Sequence, residues 1–186
     1  VDFGVMSIFD RDKDGNQITH GLPNPGDLNN DHRIALFHGS VGTFQVDTGL
    51  HMTDKNVSTK TFEGYDIVML GDIHRRQFLD DNELIGYPGS LIQQNFSEEP
   101  AKGFLLWDLD TRTSTFHHVK NDFGFKSIEV KGGKIQTSKT NKKEFNKTFI
   151  HKKGNIKIKY WDTSLEEIKN IQLELRKRYP KLKEIK

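Results

Sequence analysis

Two stretches of this chain run as apolar strands into side chains that bind metal ions: Arg33-Ile34-Ala35-Leu36-Phe37-His38-Gly39 and Asp66-Ile67-Val68-Met69-Leu70-Gly71-Asp72-Ile73-His74. Each apolar run has the length of one buried strand. Imidazole nitrogen and carboxylate oxygen are both ligands for divalent cations. In open α/β sheets ligands sit beyond the carboxyl ends of the strands, so two strands that finish this way can aim His38, Asp72 and His74 at one crevice. Asp72 and His74 are two residues apart and would point the same way on an extended backbone, and Gly71 before them permits a tight turn. A second oxygen-rich stretch, Asp10-Arg11-Asp12-Lys13-Asp14-Gly15-Asn16, has calcium-loop spacing at its start. Gly15 falls where a third ligand is needed and no bidentate Glu closes a twelve-residue loop, so an ordinary turn is expected there.

The elements that must position these residues can be read from periodicity and turn chemistry. Residues 1–9 read as a strand, 20–33 as a long surface connection rich in Gly, Pro, Asn and Asp, and 39–65 as glycine-spaced and then polar chain without helical periodicity. Residues 83–90 read as a strand closed by Pro88-Gly89, and 103–110 as a buried strand paired with 113–119 in a hairpin across Asp110-Thr111-Arg112. Further on, 125–130 is a strand before a Gly132-Gly133 turn, 139–153 a lysine-rich loop, and 155–161 an alternating strand with one wet face. A helix is expected over 164–179. Thr163 with Glu166, or Ser164 with Glu167, has capping-box spacing; Leu165, Ile168, Ile171 and Leu175 make one apolar face; Arg176, Lys177 and Arg178 suit the C-terminal dipole; and Pro180 ends it.

The 186 residues contain no cysteine, which excludes disulfide scaffolds and thiolate zinc sites, and no apolar run approaches the roughly 18 residues of a membrane span. Charge is unevenly divided: residues 1–119 hold 9 Lys and Arg against 18 Asp and Glu, and residues 120–186 hold 19 against 8. This shift predicts two domains, 1–119 acidic and able to hold cations, 120–186 basic and able to meet polyanions. The lysines expected to contact phosphates are Lys157 and Lys159 on the wet strand face and Lys152 and Lys153 at the end of the basic loop. A solvated basic surface or a protein-docking surface would have the same composition.

The ordered set His38-Gly39, then Tyr65 through His74 with its Gly-Asp-x-His ending, then Tyr87-Pro88-Gly89-Ser90-Leu91, then Lys102-Gly103-Phe104 resembles the C-terminal half of calcineurin-like metallophosphoesterases. Within that superfamily it is most similar to SbcD-type DNA repair and recombination nucleases, including phage and viral relatives, over roughly residues 1–118. The resemblance implies an α/β fold: part of a metallophosphoesterase sandwich of mixed β-sheets, followed by a small α+β capping segment. It makes His38 a ligand of one divalent ion and His74 a ligand of a second. Asp72 stands where the family has the first histidine of Gly-His-x-His; the added charge and hard oxygen favour manganese, or magnesium, over softer ions. The family's ordered N-terminal motifs, Asp-x-His, then Gly-Asp-x-x-Asp, then Gly-Asn-His-Asp, do not occur in these residues. The catalytic groups are therefore not assigned, and the stretch resembles such a nuclease with its N-terminal half removed.

The function so implied is metal-dependent hydrolysis of DNA phosphodiesters in repair or recombination by a larger exonuclease, with these residues alone inactive. The resemblance further implies homodimers, a coiled-coil SMC-like ATPase partner, DNA as substrate, no membrane association, and a cytoplasmic or nucleoid-associated location. Two rival readings remain. One keeps the superfamily and changes the substrate to a small phosphodiester or a phosphoprotein. The other makes the chain a non-catalytic nucleic-acid- or protein-binding module in which Gly-Asp-x-His is a structural turn.

Overall fold

The computed structural model describes residues 1–16, 22–136 and 152–186. Most of the lysine-rich stretch 139–153, and the start of the 20–33 connection, lie outside the described residues. The chain is mixed α/β, mostly sheet with a single α-helix among the described residues, and it divides into two compact units. The first comprises Val1–Leu91 and Ala101–Val119, the second Ile92–Pro100 and Lys120–Lys186. The charge shift at residue 120 thus coincides with a change of unit, but residues 92–100, expected in the acidic part, belong to the basic one.

The first unit is built on a five-stranded sheet ordered β1 (Asp2–Met6), β2 (Arg33–His38), β5 (Ile67–Gly71), β7 (Ile85–Tyr87) and β6 (Gln77–Phe78). The β1–β2, β2–β5 and β5–β7 pairs are parallel, and β6 runs antiparallel at the edge. Central strands of a parallel sheet are covered on both faces and read as continuous apolar runs. Accordingly Ile34, Ala35 and Phe37 of β2 and Ile67, Val68 and Leu70 of β5 are all buried. Strand β1, at the edge, alternates: Gly4 and Met6 face inward, while Phe3 and Val5 are 55% and 60% exposed.

Parallel neighbours need long crossovers, usually helical. Here the β2-to-β5 crossover carries a small antiparallel hairpin, β3 (Thr43–Gln45) with β4 (His51–Thr53), and a 3-10 turn, Thr59–Phe62. Val41, Phe44, Val57 and Phe62 from this crossover pack on Met6, Ala35, Phe37, Val68, Leu70 and Tyr87 of the sheet, the role a helix would ordinarily fill. The hairpin was not expected from the sequence. Its strand β4 is exposed at all three positions, so no period-2 signal exists. Gln77 pins it: Oε1 accepts from the Gln45 N–H at 2.8 Å and Nε2 donates to the Gln45 carbonyl at 2.8 Å. Strands β8 (Gly103–Asp108) and β9 (Thr113–His118) pair as the anticipated hairpin, its turn closed by Arg112 at φ +53, but β8 is not the buried strand expected: it alternates, and Phe104 and Leu106 are 43% and 57% exposed. The Asp10–Asn16 stretch is a turn, with Asp12 Oδ1 accepting from the N–H groups of Asp14 and Asn16.

The second unit is a four-stranded sheet ordered β11 (Lys134–Ile135), β10 (Phe125–Lys131), β12 (Asn155–Trp161) and β13 (Glu184–Ile185), with helix α1 (Leu165–Arg178). β10 and β12 are parallel and in register from Phe125–Asn155 to Lys131–Trp161. Ile128, Val130, Ile156 and Ile158 of the sheet meet Ile168, Ile171 and Leu175 of α1 in one buried cluster. Of the two capping boxes the spacing allowed, the helix uses Ser164 with Glu167. Leu165, expected on the apolar face, is 68% exposed at the first helical position and is not part of the cluster. Gln93 ties 92–100 into this unit: its Oε1 accepts from the Phe125 N–H at 2.9 Å and its Nε2 donates to the Glu98 carbonyl at 2.7 Å. No helix among the described residues is long and apolar enough to cross a membrane.

Candidate metal centre

Strands β2 and β5 run side by side with one-to-one register, and the last pair in that register is His38 with Gly71. Their carboxyl ends therefore finish at the same level, and His38 and the following Asp72 open onto one cleft of about 230 Å³ in the first unit. Both side chains are exposed to it. Gly71 is required by this arrangement: a Cβ there would stand 2.6 Å from Cδ2 of His38. The chain leaves β5 through Asp72 at φ +87, a left-handed conformation uncommon for a residue with a side chain. That turn redirects the backbone after Asp72. It undoes the simple expectation that residues 72 and 74 project alike, which holds only on extended chain.

The remaining polar lining comes from the loops after β1, β2 and β4: Arg11, Ser40, Asp54 and Asn56. Asp54 is held rigidly. Its carboxylate accepts from Ser40 Oγ at 2.5 Å and from the N–H groups of Asn56 at 2.8 Å and Val57 at 3.2 Å. Burial opposes its ionisation, but these donors and the nearby Arg11 charge outweigh burial and hold the carboxyl below the ordinary aspartate range. Behind the cleft the buried Tyr87 hydroxyl donates to the Gly39 carbonyl at 2.8 Å. Burial, aided by the negative charges of Asp72 and Asp54, pushes its pKa up, so it serves as a neutral donor that fixes the His38-Gly39 turn.

His74 is positioned differently. It is absent from the lining of this cleft among the described residues, and its imidazole lies within 4.8 Å of the Asp47 carboxylate. Its carbonyl accepts from Lys102 Nζ at 2.8 Å and from the Ser90 N–H at 3.3 Å. Lys102, only 6% exposed, also stands 4.0 Å from Asp47. Gly89, at φ +78, packs directly under this loop: a Cβ there would meet the His74 carbonyl oxygen at 2.8 Å. The Tyr87-Pro88-Gly89-Ser90 and Lys102-Gly103-Phe104 motifs thus buttress the His74 turn.

Of the three residues singled out from sequence, His38 and Asp72 line one cleft and His74 lies beside Asp47. Among the described residues, His38, Asp72 and His74 do not bring three ligand atoms within 4.8 Å of one another. The cleft's donors, the His38 imidazole, the Asp54 and Asp72 carboxylates and the Ser40 hydroxyl, are of types that bind hard or borderline divalent ions, but among the described residues His38, Asp54 and Asp72 do not bring three ligand atoms within 4.8 Å of one another. Ser40, Asp54 and Asp47 were not anticipated. The only sequence signal for Asp54 was an Asp-x-Asn turn pattern, which normally marks nothing more than a loop.

In the second unit Lys157 and Lys159 are exposed at alternate positions of β12, and Lys152 and Lys153 are exposed in the turn before it.

No family model matches the chain. It is 38% identical over 143 residues to the uncharacterized protein R555 of Acanthamoeba polyphaga mimivirus. That match covers 76% of this chain and 11% of the viral protein, so the chain spans about a tenth of the length of the relative it matches.

Proposed function

We propose that the first unit is the C-terminal half of a calcineurin-like, SbcD-type metallophosphoesterase sandwich, and that the protein to which it belongs hydrolyses DNA phosphodiesters with divalent ions, manganese foremost. The observation that carries this reading is the in-register pairing of β2 with β5, which delivers His38 and Asp72 to one cleft at the carboxyl ends of parallel strands. His38 and Asp72 would hold one ion, and His74 a second. Bound there, a divalent ion supplies Lewis-acid polarisation of the phosphodiester and neutralises charge on the leaving oxygen. Tyr87 and Gly71 orient His38, and Asp54 anchors the loop that closes the cleft. The basic unit is the capping segment, with Lys152, Lys153, Lys157 and Lys159 facing phosphates. Homodimerisation, an SMC-like ATPase partner and an intracellular location follow from the resemblance and belong to the same proposal.

Titration of the 186-residue chain with manganese, followed by electron paramagnetic resonance and calorimetry, tests the reading. His38→Ala and Asp72→Ala are each expected to weaken binding at least about tenfold, in keeping with loss of a direct ligand. The chain alone is expected to show no manganese-dependent cleavage of DNA, while a longer protein carrying the complementary motifs cleaves it. Wild-type manganese affinity in both variants would overturn the proposal. A second reading, a non-catalytic module with Gly-Asp-x-His as a structural turn, is favoured by the grip of Lys102 and Ser90 on the His74 carbonyl. It predicts no saturable manganese site at all.

A further inference from the structure

The sheet of the second unit has one face under α1 and one face not covered by it. Alternation along the strands assigns Phe125, Ser127, Glu129 and Lys131 of β10, and Asn155, Lys157, Lys159 and Trp161 of β12, to the face away from the helix, since Ile128, Val130, Ile156 and Ile158 point into it. Over the start of this face lies a group of half-buried rings. Phe96 packs edge-on against Phe125 with centroids 5.0 Å apart, and Phe123 does the same at 5.4 Å. Lysines surround them: Lys157 Nζ is 5.9 Å and Lys186 Nζ 5.6 Å from the Phe96 centroid, and Lys183 Nζ is 5.8 Å from that of Phe123. All three lysines are exposed. Trp161, 41% exposed, stands at the far end of the same face. The acids among these residues are Glu129, level with Lys159, and Glu184, paired with Lys186 at 3.2 Å.

We infer that this face is a binding platform for single-stranded nucleic acid, its unstacked bases lying on Phe96 and Trp161 and its phosphates on Lys157, Lys159, Lys183 and Lys186. The inference deepens the polyanion-binding reading of the basic unit by naming the form of the polyanion. Lysines alone would take any polyphosphate, because phosphate contacts carry no information about strandedness. Aromatic faces interleaved with them select chains whose bases are free to stack, an arrangement tolerant of sequence. A duplex keeps its bases stacked on one another and offers such rings nothing. The excess of lysine over acid on the face opposes docking of most proteins and matches a polyanion.

The test is fluorescence anisotropy with the 186-residue chain in EDTA, using labelled oligothymidylate, oligouridylate and duplex DNA of about twenty nucleotides. At equal salt the single strands are expected to bind at least about tenfold more tightly than the duplex, and the ratio of the two single strands identifies DNA or RNA as the preferred source. Phe96→Leu keeps apolar packing but removes the ring; it is expected to lower single-strand affinity about tenfold with an unchanged melting temperature. Lys157→Gln and Lys186→Gln are each expected to reduce the slope of log affinity against log salt by about one. Equal affinity for duplex, indifference to Phe96→Leu, or no binding to any of the three would overturn the inference. Because EDTA removes divalent ions, these results stand apart from the manganese titration, and either proposal can fail while the other survives.

Discussion

A methyl group added at Gly71 would collide with the imidazole it is meant to leave room for, since a Cβ there falls 2.6 Å from Cδ2 of His38. Gly71→Ala is therefore expected to rotate His38 out of the cleft, at a cost of about 1 kcal/mol in stability. Manganese affinity should fall by nearly as much as in His38→Ala, which paired titration and thermal melting would show; an unchanged affinity would mean that His38 is not a ligand. Asp66, at the opposite end of β5, provides the contrast. Its carboxylate accepts from the Arg33 N–H at 2.8 Å and pairs with Arg33 Nε at 3.3 Å and Arg112 Nη2 at 2.8 Å. Burial opposes ionisation, but the Arg33 hydrogen bonds and the charges of Arg112 and Arg33 prevail and hold the carboxyl below its usual range. A carboxyl depressed by folding contributes its full stabilisation above its unfolded value, about pH 4, and loses it as pH falls through the lower folded value. Asp66→Asn is accordingly expected to cost about 2 kcal/mol near neutral pH and to flatten the acid limb of the stability profile. Manganese binding should be untouched by it, and denaturant melts from pH 7 to pH 2 would measure both limbs.

Helix α1 was legible because its start, apolar face and stop agree: Ser164 Oγ accepts from the Glu167 N–H, the Glu167 carboxylate accepts from the Ser164 N–H at 2.8 Å, and Ile168, Ile171 and Leu175 recur at helical spacing. Ser164→Ala is expected to destabilise the protein by about 1 kcal/mol, with the loss seen first in amide exchange of the first turn. A cap at Thr163 would instead make Thr163→Ala the costly change. Strands β2 and β5 were equally legible from their apolar runs, whereas the apolar run of β8 marked a strand but misled about burial, since Phe104 and Leu106 are exposed. The hairpin of β3 and β4 was not legible, since it is short and one of its strands is wholly exposed. Nor was β6, whose two residues owe their place to β7 and to the Gln77 side chain reaching Gln45.

Across the whole chain the acids and bases are unevenly shared. With residues 92–100 assigned to the second unit, the first carries 9 Lys and Arg against 16 Asp and Glu, and the second 19 against 10. A divalent cation and a polyanion should consequently be handled by different units. Replacing Lys152, Lys153, Lys157 and Lys159 together by Gln is expected to weaken nucleic-acid binding steeply at low salt, where screening is least. Manganese affinity should stay the same in that variant. A parallel loss of manganese affinity, read by the same titration, would show that the two functions are not divided in this way.

The sequence by itself determined the strand ends that carry His38 and Asp72, the capped helix, and the change of character at residue 120, because each is written in neighbouring residues: an apolar run, a capping pair, a shift in charge. Only the tertiary structure decided that Asp72 adopts φ +87, that the His74 imidazole lies within 4.8 Å of the Asp47 carboxylate, and that Ser40 and Asp54 join His38 in lining one cleft. It also decided that Gln93 carries 92–100 into the basic unit, where Phe96 meets the lysines of β12 and the chain end. These are contacts between residues far apart in the chain. Their geometry is set by sheet register and by single backbone torsions, neither of which leaves a local pattern to read.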